Sequence, residues 1–130
     1  MSKTSEQFSQ EIGRCRDIYE KKLHDYGTSW RILRLPSLTD QIFIKANRIR
    51  SIQEAGVHRV EENETPEFIA MVNYAVMALI QEELGQGGDL ELPPQQAMEL
   101  YDRHIAAATS LMLDKNHDYG EAWRQMRVSS

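Results

Sequence analysis

The chain has 130 residues, 41% hydrophobic and 27% charged, which is room for one compact domain and hardly for two. Twenty acids against fifteen Lys and Arg give a formal charge of −5, which speaks against general binding to nucleic-acid backbone. A single cysteine, Cys15, excludes an internal disulfide and any cysteine-based zinc cluster within one chain.

Helical periodicity marks four segments, and strand alternation is nearly absent. The first helix is expected over about 5–23, where Phe8, Ile12, Cys15, Tyr19 and Leu23 form one apolar stripe and Gly27 follows as a stop. A second should begin near Ser37, capped by that serine, with Ile42, Lys45, Ile49 and Ile52 on one face and Gly56 beyond its end. Thr65-Pro66-Glu67 opens a third, with Thr65 as N-cap and Pro66 as the first helical residue. That helix runs to Leu84 and is apolar almost all round, so it should be the central one. Its longest apolar run, 68–80, is thirteen residues interrupted by Asn73, which is core-helix rather than membrane length. A Gly/Pro-rich linker over 85–94 leads to a fourth helix over about 94–116, with Ala97, Tyr101, Ile105, Ala108 and Met112 on one side. The polar N-terminus has no signal-peptide stretch, so a cytoplasmic protein without a membrane partner is expected.

Two blocks of the chain match at an offset of 93 residues. Lys22-Leu-His24-Asp25-Tyr26-Gly27-Thr-Ser-Trp30-Arg31-Ile-Leu-Arg34 parallels Lys115-Asn-His117-Asp118-Tyr119-Gly120-Glu-Ala-Trp123-Arg124-Gln-Met-Arg127, and nine of sixteen positions are identical when the match extends to Ser37 and Ser130. This reads as an internal duplication within one all-α domain of 1–130: copy one over 5–84, a linker over 85–94, and a partial copy two over 95–130. The second copy ends where its own helix pair would begin. The 130 residues are therefore expected to be a fragment of a longer chain or an evolutionary truncation, with about 50–60 further residues by analogy with copy one.

Several residues carry chemistry. In the repeated element, Tyr26 and Trp30 could stack a base, His24 and Asp25 could bond its edge, and Arg31 and Arg34 could hold phosphate; His117, Asp118, Tyr119 and Trp123 would do likewise in the second copy. The plainer reading is a helix stop, with aromatic residues plugging the bundle end. Lys45 interrupts an isoleucine stripe, so it either snorkels to the rim or faces a buried anion that Arg48 could share. Asn73 must find hydrogen-bond partners if buried, on a neighbouring helix or on a ligand. Glu61, Glu62, Glu64 and Glu67 are either a solvated face at a helix start or ligands to Mg²⁺. His58 and His104 have no metal-ligand spacing, and there is no P-loop, GxGxxG or Ser/His/Asp triad.

Taken together, His24-Asp25-Tyr26-Gly27 through Trp30, Ser37-Leu38-Thr39-Asp40, Lys45-Ala-Asn-Arg48-Ile49 and Asn73-Tyr74-Ala75 resemble the DUF1599 family, nucleotide modification associated domain 1. That family looks distantly similar to the all-α NTP pyrophosphatases of the MazG and dUTPase type. The resemblance implies a four-helix, MazG-like bundle, a nucleotide or modified nucleotide as ligand, Mg²⁺ as cofactor and a homo-oligomer. Those pyrophosphatases place Glu-x-x-Glu and Glu-x-x-Asp on successive core helices. Here the matching positions read Lys45-x-x-Arg48 and Glu67-x-x-Ala70, which suits direct phosphate binding better than a metal cluster. Catalytic residues stay unassigned. Three functions stay open: a Mg²⁺-dependent pyrophosphatase-like enzyme, a non-catalytic nucleotide-binding or sensing module, and a helical assembly module.

Overall fold

The computed structural model describes residues 3–55, 64–85, 88 and 90–120. Its elements are four α-helices and one short 3₁₀ turn, with no strand among the described residues: α1 (Lys3–Tyr26), the turn (Ser29–Ile32), α2 (Leu35–Ala55), α3 (Thr65–Leu84) and α4 (Pro94–Tyr119). The all-α expectation holds. Glu61, Glu62, Trp123, Arg124, Arg127 and His58 lie outside the described residues.

Local signals set the helix ends, with shifts of a few residues. α1 runs on to Tyr26 because Gly27 takes φ +60°, which costs glycine nothing, and its N–H closes on Leu23 O at 2.8 Å. Ser37 is not the cap of α2, which starts two residues earlier at Leu35. Pro36 is tolerated in the first turn because a helix leaves its first N–H groups unpaired anyway. Thr65 is likewise inside α3 rather than capping it: Glu64 sits at the cap and makes no side-chain cap bond. α4 extends to Tyr119, and Gly120 repeats the positive φ of Gly27 at +64°. Both HDYG segments therefore end a helix at a glycine of positive φ.

α3 packs against all three other helices, as its apolar character predicts. α2 returns antiparallel along it, since Lys45 and Arg48 meet Glu67 while Gln53 meets Glu64. α4 runs antiparallel to α1, with Arg16 on Asp102 at 2.7 Å and Tyr19 beside Ala97. The core joins Tyr19, Leu23 and Trp30 to Leu38, Val76, Ile80, Leu100 and Tyr101. Tyr19 and Tyr101 stack with ring centroids 4.3 Å apart. Burial pushes the Tyr19 hydroxyl up to about 12, assisted by Asp102, and pushes Tyr101 further in the same direction.

Asn73 is buried at the crossing of three helices. Its amide donates to Cys15 O of α1 at 3.1 Å, and its carbonyl oxygen accepts from the Tyr101 hydroxyl of α4 at 2.8 Å. Along α4 the expected stripe is sealed at Ala97 and Tyr101 and then emerges: Ile105 and Met112 are half-buried, and Ala108 is exposed. No described helix is long and apolar enough to cross a membrane.

Candidate functional site

The first HDYG element and the 3₁₀ turn build one end of a cleft. Trp30 is driven inward onto the core, while Tyr26, at the last turn of α1, stays 69% exposed. Both line a cavity of about 340 Å³, together with Lys22, Leu23, Tyr74 and Met77. Among the described residues, the buried Trp30 Nε1 has no hydrogen-bond partner. An indole N–H in that condition is what a ligand carbonyl satisfies.

A second cavity, of about 530 Å³, shares Tyr19, Lys22, Tyr74 and Met77 with the first, so the two adjoin as one cleft. Its other walls are Ile18 of α1, Lys45 of α2 and, from α3, Thr65, Pro66, Ile69, Ala70 and Asn73. The walls are mostly apolar, with lysines and one amide placed among them, which is the usual make-up of a small-molecule site.

Lys45 faces an anion, and the anion is internal. Its ammonium lies 3.0 Å from Glu67 Oε2, an ion pair without the alignment of a good hydrogen bond, and Arg48 Nε donates to Oε1 of the same carboxylate at 2.9 Å. The Glu67 side chain is only 13% exposed, so water screens this triad weakly. Lys45 still reaches the wall of the larger cavity.

The structure divides the remaining candidates. The Arg31 guanidinium, expected on phosphate, is engaged within the fold: buried at 5% exposure, its Nη1 donates to Gln81 Oε1 and to Gly85 O at 3.4 Å. Gln81 returns the bond, donating Nε2 to Arg31 O at 2.9 Å and to Leu33 O at 2.7 Å. The cation sits at the negative end of α3, where helix carbonyls lack partners. His24 and Asp25 face solvent and meet each other at 3.4 Å; like the exposed Arg34, they are absent from the cleft walls. Glu64 accepts from Gln53 Nε2 at 3.5 Å.

His117, Asp118 and Tyr119 do not share the cleft. α4 runs antiparallel to α1, so the second HDYG segment lies at the opposite end of the bundle, a helix length of about 35 Å away. There Tyr119 is 67% exposed, and the Lys115 ammonium is 5.6 Å from its ring centroid.

Sequence reasoning missed Lys22, Tyr74 and Thr28. Lys22 heads the repeated block and Tyr74 adjoins Asn73, so their positions in the motifs were the available signals. Thr28 had none. Its hydroxyl donates to Leu90 O at 2.9 Å and accepts from Leu92 N–H at 3.0 Å, pinning the linker across the Trp30 end.

Residues 22–81 match the family model of nucleotide modification associated domain 1, DUF1599. The matched stretch begins at Lys22 and ends at Gln81, so it takes in the first HDYG element, the Arg31–Gln81 lock, the Lys45–Arg48–Glu67 triad and Tyr74. No curated protein and no solved structure matches the chain.

Proposed function

We propose that this protein binds a nucleotide or modified nucleotide in the cleft between α1, the 3₁₀ turn, α2 and α3, as a component of a nucleotide-modification pathway. The observation that carries the reading is the placement of Tyr26 and Trp30 on one arm of a cleft whose other arm bears Lys45, with Lys22 and Tyr74 common to both. Aromatic rings accept a base by stacking, and lysine ammonium groups attract phosphate as point charges. The family match adds the association with nucleotide modification.

Pyrophosphatase chemistry of the MazG kind enters only through resemblance, and the described residues do not fit its metal. Both Glu67 oxygens face cations, and among the described residues no three His, Cys, Asp or Glu side chains converge to hold an ion. Binding without a resident metal is therefore the reading adopted.

Thermal melting against a panel of nucleosides and nucleotides at millimolar concentration tests it. A ligand at one hundred times its Kd stabilises the fold by about 2.7 kcal/mol, so a clear rise in Tm is expected, and Lys22→Ala should abolish it. If no member of the panel shifts the melt, the nucleotide reading fails.

A second reading rests on separate residues. Phe43 and Ile44 on α2 are 65% and 52% exposed, and Leu111 on α4 is 59% exposed, which favours burial against another copy of the chain. Sedimentation as a monomer would contradict that homo-oligomeric reading.

A further inference from the structure

The charges around the cleft bear on how many phosphates its ligand carries. Among the described residues, the cationic groups on or beside its walls are Lys22, Lys45 and Arg48, and Glu67 is the carboxylate set among them. Three cations and one anion leave a net charge of +2. A phosphate monoester carries about −1.5 to −2 near neutral pH, because its second proton leaves near pH 6. Each additional phosphate adds negative charge that no described group on these walls offsets.

The start of α3 does not supply the missing donors. Pro66 has no N–H, and the N–H groups of Glu67 and Phe68 both close on Glu64 O at 3.1 Å. Arg31 is committed to Gln81 and Gly85, and Arg34 is not on the walls. The Glu67 carboxylate meanwhile engages two cations, as a phosphate group would.

The geometry points to a cleft selective for a nucleoside monophosphate, with Glu67 as the residue that sets the phosphate number by occupying Lys45 and Arg48. This rests on the nucleotide-binding reading above and extends it to a ligand class. Lys22 and the free side of Lys45 take the single phosphate. A second phosphate meets the Glu67 carboxylate and is repelled. Replacing Glu67 by a neutral isostere releases both cations and should open the site to diphosphates and triphosphates.

Isothermal titration calorimetry without metal tests this, using the four deoxynucleosides and their 5′-mono-, di- and triphosphates against the full chain and Glu67→Gln. The wild type should bind a monophosphate at least ten-fold tighter than the matching triphosphate, and Glu67→Gln should shift that ratio at least ten-fold toward the triphosphate. A wild type that prefers the triphosphate overturns the inference, as does an unchanged ratio in the variant. If no compound binds at any phosphate number, the nucleotide reading itself falls. Should Glu67→Gln fail to fold, Arg48→Gln at the exposed rim provides a second measurement. Without Arg48, Glu67 holds Lys45 more completely, so monophosphate affinity should drop several-fold; unchanged affinity contradicts the role given to Glu67.

Discussion

The two HDYG segments share their sequence and end a helix at a glycine of positive φ, yet their surroundings differ. At the first, Gly27 hands the chain to a 3₁₀ turn that buries Trp30, locks Arg31 against Gln81 and is strapped by Thr28 to the linker. At the second, His117, Asp118 and Tyr119 all stand in solvent. The motif by itself stops a helix. A cleft forms where α2 and α3 return to complete its walls, which happens only at the first segment among the described residues.

The largest expected contrast is between Trp30→Ala and Tyr119→Ala. Emptying the Trp30 site should destabilise the fold by about 3–5 kcal/mol, while the exposed Tyr119 change should stay within about 0.5 kcal/mol. Urea denaturation of both variants measures this; similar losses would erase the distinction between the two ends.

Next comes the Arg31–Gln81 lock. Gln81→Leu removes the amide that answers a buried guanidinium and leaves the Arg31 and Leu33 carbonyls without that donor, a loss of about 2–3 kcal/mol by the same titration. A neutral result would mean the guanidinium finds water instead.

The smallest effect, taken per pH unit, is alkaline and concerns the shared core rather than either end. In the unfolded chain Tyr19 ionises near 10, and in the fold near 12, so its contribution is complete below pH 10 and is lost as pH rises toward 12. Across that window the stability should fall by at most about 1.4 kcal/mol per pH unit from this residue. Tyr19→Phe should flatten the Tm profile there; an unaltered slope would place the alkaline loss elsewhere.

What the sequence made legible was local. Gly27, Gly120 and Pro66 mark helix ends through backbone geometry that depends on few neighbours, and α3 announced its central place by composition. The fate of the charged residues was not local. Arg31 is answered by Gln81 and Lys45 by Glu67, partners on another helix that periodicity along one helix cannot identify. For Lys45 the isoleucine stripe left snorkelling and a buried anion both open, and gave no sign that an anion would belong to the protein. The same gap left Arg31 open between a helix-end role and phosphate, and hid Lys22, whose place on the cleft walls depends on Tyr74 of α3.

The most direct measurement is an amide and indole NMR map of the protein during titration with a deoxynucleoside monophosphate. Shifts should concentrate at Lys22, Lys45, Asn73, Tyr74 and the Trp30 indole N–H, with His117–Tyr119 silent. Shifts centred on the far end of α4, or scattered over the surface, would contradict the claim that this cleft is where the ligand sits.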